Sequence, residues 1–401
     1  MTSISLSRLA QHVLDQCLAG SVPDELPRPL IDDPGGQSLF GILAEGLADR
    51  FEPSLCDAYA HLFAQAIAGG DPTALVARYR RVRHPRPVAI DPRRVFVLSR
   101  VTLGADVAVT SVLLDAAKHR FPDAELVFVG PLKNYQLFSG DPRLRHAPVT
   151  YRRGGWHDRL AVAPDLRGLF ADPDSLVLDP DSRLTQLGLL PVCDEHRYHL
   201  FESRSYGAET PRSLPELTAA WAFETLGISG ARPYLALAET PQPHGGVSVS
   251  LGVGENPAKR IADPFEEELL LLVAAAAAPL WIDKGAGGEE AARVDRAVQD
   301  AGVDAQFWTG SFAGFASLIA QSRLYVGYDS AGQHIAAAAG IPLISIFAGF
   351  PAPRMFDRWR PSGPRCAVIR VERPDPPEVL DQVRRALMAF HQLPVGDSLE
   401  P

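Results

Sequence analysis

Cysteine is scarce in this chain: four in 401 residues, at positions 17, 56, 193 and 366. No two are close enough in sequence for a zinc ribbon or a CxxC redox pair, and the scatter fits a reduced, cytoplasmic setting. Long apolar runs are missing as well. The longest, Leu269 to Ile282, falls short of the roughly 20 residues that cross a bilayer. Positive charge is not in excess, since the formal net charge is −9 at pH 7, and that balance argues against a general nucleic-acid partner. Met1 to Gly20 lacks both a basic opening and an unbroken apolar block, so no signal peptide is expected there. The inner face of a membrane remains compatible with this chain as a peripheral location. What is present is ordinary: 46% hydrophobic and 22% charged residues, a composition that supports two globular domains with a core in each.

Residues 1–90 read as helical. Leu6, Leu9, Val13, Leu14, Cys17 and Leu18 fall on one helical stripe, and SLFGILAEGLADRF and SLCDAYAHLFAQAIA repeat the pattern. The basic run Arg78 to Arg86, RYRRVRHPR, closes this region and reads as a solvated helix end and linker. From Arg94 the period changes. VFVLS, a helix over Val107 to Phe121 and AELVFVG form a βαβ unit with a turn at Pro122-Asp123. HAPVTY and SLVLD add strands, LDPDSRLTQLGLLP leads into another helix, and the proline-rich, helical stretch 205–240 serves as a connection. A second α/β series begins at Val247: the strands VSVSLGV, PLWID and AQFWT alternate with helices over Pro264 to Ala275, Glu289 to Asp300 and Phe312 to Gln321. The Asp-x-Asp spacings at Asp172 and Asp179 sit beside prolines and read as turn chemistry rather than metal ligation.

The most informative stretch is Leu324 to Pro342, LYVGYDSAGQHIAAAAGIP. Leu324-Tyr325-Val326 is a short apolar strand, Gly327 permits a turn, and Asp329 or Ser330 is a natural helix N-cap. A small-residue helix over Ala331 to Ala339 then ends at Gly340 and Pro342. The unpaired N–H groups at the start of such a helix carry the positive end of its dipole, which favours an anion. His334 lies four residues after Ser330, so it shares a face with the first turn.

This segment resembles the donor-binding signature of glycosyltransferase family 9, the ADP-heptose:lipopolysaccharide heptosyltransferase group: Asp-Ser/Thr-Gly-x-x-His-Leu/Ile-Ala-Ala-Ala followed by Gly-x-Pro. The match runs through Asp329, Ser330, His334, Ile335, Ala336, Ala337, Ala338, Gly340 and Pro342. It departs at Ala331, where the family has glycine, while Gly332 follows one position later. The resemblance implies an α/β fold of two Rossmann-like doubly wound domains, the GT-B architecture, preceded here by the helical extension. On that reading residues 91–240 form the acceptor domain and connection, 241–375 the nucleotide-sugar donor domain, and 376–401 a closing helix and tail.

The resemblance also distributes roles. Asp329, Ser330, Ala331, Gly332 and His334 would meet the donor, joined by Lys259 and Arg260 from GVGENPAKRIADP. Asp106, in SRVTLGADVAVTSV, takes the position of the family's catalytic base once Ala105 is treated as an insertion; as a residue it equally suits the cap of a helix starting at Val107. Glu289 and Glu290, in IDKGAGGEEAARV, fall where the family's loop approaches the ribose, and both also suit the first turn of a helix. Arg183 is a candidate contact for an anionic acceptor.

The expected activity is therefore inverting, metal-independent transfer of a heptose-like sugar from a nucleoside diphosphate to a hydroxyl on a glycan, lipid-linked or protein acceptor, with the nucleotide sugar as co-substrate and no other cofactor. Two alternatives stand beside it: a catalytically weak GT-B binding or assembly protein, whose helical extension contacts another protein, and another GT-B enzyme such as a sugar-nucleotide epimerase.

Overall fold

The computed structural model describes residues 5–238, 245–254, 256–276, 278–285 and 287–391. The chain divides into two compact units, one comprising the residues up to Ala236 together with Pro351–Trp359, the other Leu237–Phe350 and the chain from Arg360 onward.

The first unit is built on a parallel sheet of β1 (Arg94–Leu98), β2 (Glu125–Gly130), β3 (Leu144–Pro148), β4 (Ser175–Asp179) and β5 (Tyr198–Leu200), in the order β3-β2-β1-β4-β5. Its central strands are runs of Val, Leu and Phe buried on both faces, as a sheet covered on both sides requires. Side chains alternate between the faces. Phe96, Leu98, Val127 and Val177 join one core with Val13, Leu14, Leu43, Leu62 and Phe63, so the amino-terminal helices Leu6–Leu18, Ser38–Ala44 and Pro53–Ala68 cover that side. Helix Ser111–Arg120 packs on β1 and β2 and against helix Leu214–Leu226. The apolar stripe read from Val13, Leu14 and Cys17 is thus spent inside the unit.

Three local expectations for this unit need correction. The basic run is solvated only in part: Arg80, Arg81 and His84 are exposed, but Arg78 is buried with Nη1 donating to the Gly188 carbonyl at 3.0 Å, Arg83 bonds Asp57 and Ser205, and Arg86 donates to the carbonyls of Glu195 and Tyr198. Guanidinium forks tie the helical region to the loops around β5, and their stems pack as hydrocarbon. The segment after β4 forms only the 3-10 turn Arg183–Thr185, because Asp181, Gln186 and Leu187 adopt positive φ and break helical continuation. The helix expected from Val107 starts earlier, at Leu103, and passes through a π-helical turn, Asp106–Thr110, before Ser111.

The second unit carries β6 (Val247–Ser250), β7 (Leu280–Asp283), β8 (Ala305–Trp308), β9 (Leu324–Tyr328), β10 (Leu343–Phe347) and β11 (Cys366–Arg370), all parallel, in the order β11-β10-β9-β6-β7-β8. Helices Phe265–Ala276, Gly288–Ala301, Phe312–Ala320, Ala331–Ala338 and Pro376–His391 alternate with the strands or close the series. Among the described residues no helix is long and apolar enough to cross a membrane.

Candidate functional site

In open parallel sheets a ligand crevice forms at the strands' carboxyl ends where the strand order reverses. The second unit reverses between β6 and β9, the first between β1 and β4. Lys259 follows β6 and Asp329 follows β9; Asp106 follows β1 and Arg183 follows β4. Each pair of sequence candidates therefore flanks the reversal point of its own sheet.

In the second unit, β9 gives way to Asp329, Ser330 occupies the N-cap in an extended conformation, and helix Ala331–Ala338 begins. Ser330 makes no side-chain capping bond, so it does not close off the first-turn N–H groups that favour an anion. Asp329 is not a simple cap. Its Oδ2 accepts from Lys259 Nζ at 2.6 Å, its carbonyl accepts from the same ammonium at 3.1 Å, and its Oδ1 accepts from Gln333 Nε2.

Lys259 reaches this position on a short turn, Pro257–Lys259, started by Asn256, whose Oδ1 accepts from Ala258 N at 3.0 Å. The turn is braced from below by Gly349, at φ 68°, where a Cβ would stand 2.5 Å from the Ala258 carbonyl and 2.7 Å from Lys259 N. Only glycine fits that contact and that φ. The Phe-Ala-Gly turn after β10 thus serves to support the lysine loop.

His334 is buried one turn into the helix. Burial pushes its pKa down to about 4, with Lys259 adding to the shift and Asp329 opposing it, so the imidazole is neutral at physiological pH. Beneath the helix start lies the Tyr325 hydroxyl, 3.4 Å from Ser330 Oγ. A Cβ at Gly332 would fall 2.2 Å from that hydroxyl. This accounts for glycine at 332, while the half-buried position 331 accommodates alanine. Two residues that sequence reasoning passed over belong to the same network: Gln333 and Ser345, whose hydroxyl donates to Gln333 Oε1. The one available signal was a polar Gln beside His334 in a helix whose other residues are small or apolar.

The other candidates of this unit go elsewhere. Arg260 turns to Glu266, at 3.2 Å, and to Asp263; Arg293 pairs with the same Glu266. Glu289 is exposed. Glu290 lies against Gly252 and Gly285, where an added Cβ would come within 2.4 Å of its carboxyl group. It therefore occupies the loops after β6 and β7, next to Asp283, whose carboxyl is pushed up by burial with Glu290 adding to the effect.

In the first unit Asp106 is fully buried and its carboxylate accepts four hydrogen bonds: Ser99 Oγ at 2.6 Å, Arg100 N at 2.7 Å, Thr110 Oγ1 at 2.6 Å and Asn134 Nδ2 at 2.6 Å. Burial raises its pKa and these bonds oppose the rise. Because the helix starts at Leu103, Asp106 does not cap it; it organises the loop between β1 and that helix, where Val101 sits at φ 61°. Arg183 pairs with Glu45 of the amino-terminal helices at 3.1 Å and remains partly exposed. Of the Asp-x-Asp residues, Asp172 and Asp179 accept nearby backbone N–H groups, the bonding expected of turns, while Asp179 and Asp181 also hold residues distant in sequence. Asp172 accepts from Asp174 N at 3.0 Å, Asp179 binds Tyr198 Oη at 2.6 Å and Ser182 N at 2.7 Å, and Asp181 pairs with Arg204 at 3.0 Å. Burial lifts Asp179 to about 6. Among the described residues no group of three or more His, Cys, Asp or Glu is placed to hold a metal ion.

Comparison with known proteins gives this geometry a family context. The sequence profile of glycosyltransferase family 9 (heptosyltransferase) matches residues 289–386. No curated protein matches the chain by sequence. By structure the chain is similar to E. coli heptosyltransferase WaaC with ADP-2-deoxy-2-fluoro heptose, at 18% identity and TM-score 0.57 over 74% of this chain and 99% of that one. It is also similar to a family 9 glycosyl transferase from Veillonella parvula, at 13% identity and TM-score 0.53 over 75% and 98% of the two chains. E. coli ADP-heptose lps heptosyltransferase II gives 18% identity and TM-score 0.51 over 74% and 99%. At such identities the likeness establishes the fold, two Rossmann-like α/β units of the GT-B type.

Proposed function

We propose that this chain, a GT-B glycosyltransferase whose residues 289–386 match family 9, moves a heptose-like sugar from a nucleoside diphosphate to a hydroxyl acceptor with inversion at the anomeric carbon. The observation that carries the donor assignment is the meeting of Lys259 and Asp329 at the start of helix Ala331–Ala338, across the strand reversal of the second unit. When the bond from the anomeric carbon to the diphosphate breaks, its electron pair stays on the diphosphate. A cation and helix N–H groups that receive this charge lower the barrier. Lys259 supplies that cation from the protein itself, so the proposed transfer needs no metal. Neutral His334 adds a polar ring on the same helix, and Glu290 offers acceptors for ribose hydroxyls.

The acceptor's attacking hydroxyl must lose a proton as it forms the new bond. Asp106 is the proposed recipient; to serve, one of its four present hydrogen bonds has to give way to the acceptor. That enclosure favours a second reading, a GT-B protein that binds nucleotide sugars and transfers them poorly. The acceptor class in either case is a hydroxyl on a glycan, a lipid-linked glycan or a protein, and the free cysteines fit work in the cytoplasm.

The test is a thermal-shift panel of ADP-, GDP-, UDP- and dTDP-sugars, since a ligand of the native state raises apparent stability by mass action. One nucleotide class should raise the melting temperature, and glycosyl transfer from it should then be detectable. No shift with any of them would remove the donor site. A shift without transfer, across a range of hydroxyl acceptors, would favour the binding-protein reading.

A further inference from the structure

The family resemblance leaves position 333, between Gly332 and His334, without assigned chemistry, yet Gln333 is fully buried in the network that holds Lys259. Its carboxamide is oriented by its partners. Nε2 faces Asp329 Oδ1 and Oε1 accepts from the Ser345 hydroxyl. The reverse flip would place a carbonyl oxygen against a carboxylate and leave the hydroxyl without its acceptor. Ser345 lies on β10, opposite Gly327 of β9, so the amide spans from the sheet to the residue that ends the neighbouring strand. Asp329, held on one oxygen by Gln333, presents the other to Lys259 at 2.6 Å.

We propose that Gln333 is a positioning residue: through Asp329 it fixes the Lys259 ammonium so that the N–H not engaged by Asp329 faces the diphosphate at the start of helix Ala331–Ala338. This rests on the donor site proposed above. The ammonium has three N–H groups, of which the Asp329 carboxylate and carbonyl take two. A lysine on a flexible four-carbon stem otherwise samples many rotamers, and ordering it before the ligand arrives removes that cost from binding. Gln333 is thus the part of the site that converts a mobile charge into an aimed one. Its own side chain touches no ligand.

The experiment is calorimetric titration of the full chain with ADP, and in parallel with GDP and UDP, for wild type, Gln333→Met, Lys259→Met and the double variant. Gln333→Met keeps the length and removes the hydrogen bonds to Asp329 and Ser345, together with the 3.3 Å contact to His334 Nε2. It is expected to weaken binding of the nucleotide by about tenfold, the loss that follows when a charge-assisted contact is misaligned. On the Lys259→Met background the same substitution should change nothing, because the group it aims is gone. Additive losses, or unchanged affinity in Gln333→Met, would overturn the inference while leaving the donor site in place. Failure of wild type to bind any of the three would overturn both. Should Gln333→Met fail to fold, Ser345→Ala removes the bond that orients the amide and keeps the helix intact; it is expected to weaken binding severalfold, again only when Lys259 is present.

Discussion

The Lys259 ammonium lies 2.6 Å from the Asp329 carboxylate, although 70 residues separate the two in sequence. They meet because β6 and β9 are neighbours in a parallel sheet, and each residue leaves the carboxyl end of its own strand. The pair is mostly buried, which makes it sensitive to loss of either partner: an uncompensated buried charge costs several times more than an exposed one.

From this pairing follows an asymmetry between two variants. Lys259→Ala should reduce nucleoside diphosphate affinity roughly ten- to hundredfold, by loss of a charge-assisted contact. Asp329→Ala should weaken binding and also destabilise the second unit, because Lys259 and Gln333 both lose their acceptor. Calorimetry paired with urea denaturation separates the two effects. Equal stability of Asp329→Ala and wild type would contradict the buried pairing.

The titration of His334 gives a pH signature. Its folded pKa, about 4, lies below the ordinary value of 6.5, so the unfolded chain binds more protons between those limits. Stability must then be intact above pH about 6.5 and decline as pH falls toward about 4. Because His199 is also lowered to about 4 and Asp179 is raised to about 6, the wild type alone mixes several groups. The difference from His334→Gln isolates one of them. Wild type should lose on the order of 1 kcal/mol per pH unit relative to that variant within the window. Parallel stability curves for the two proteins would show that the ring is not held neutral.

Asp106 is the residue for which stability and chemistry must be measured together. In Asp106→Asn the new amide can direct its oxygen at Arg100 N and Thr110, and the Asn134 side chain, whose Oδ1 has no partner among the described residues, can flip to accept from the new NH2. The destabilisation should stay near 1–3 kcal/mol. Asp106→Ala strands all four donors and leaves a void, and should cost more. If Asp106 accepts the proton, turnover by folded Asp106→Asn falls by about 10²–10⁴. Near-normal turnover from that variant places the base elsewhere.

Gly349→Ala tests the brace beneath the lysine loop. The new Cβ meets backbone atoms rather than a flexible side chain, and φ 68° disfavours any L-residue. Diphosphate affinity is expected to fall without any change to a ligand-contacting group, by about an order of magnitude if the turn is displaced as Lys259→Ala would displace its charge. Wild-type affinity in this variant would mean that the loop tolerates the shift.

Chelation is the last check on the proposed chemistry. With Lys259 supplying the cation, transfer should survive EDTA. Loss of activity restored by Mg²⁺ or Mn²⁺ would assign the charge-neutralising role to a metal instead.

Sequence alone determined the two α/β series, most strand positions and the strand-turn-helix at Leu324 to Ala338, because those features are local. Runs of Val, Leu and Ile set a buried strand, glycine sets a turn, and small residues after a polar cap set a helix. It also brought out Asp329 and His334, through residue type and place at a strand end and helix start, and Lys259 through the family resemblance. Only the tertiary structure decided what those residues touch. It paired Lys259 with Asp329, drew Gln333 and Ser345 into the same network, turned Arg260 toward Glu266, enclosed Asp106 under four donors and buried Arg78 of a run that reads as solvated. Each of these depends on which strands lie side by side and which helix covers them. That order is set by packing of the whole sheet, so no window of sequence contains it.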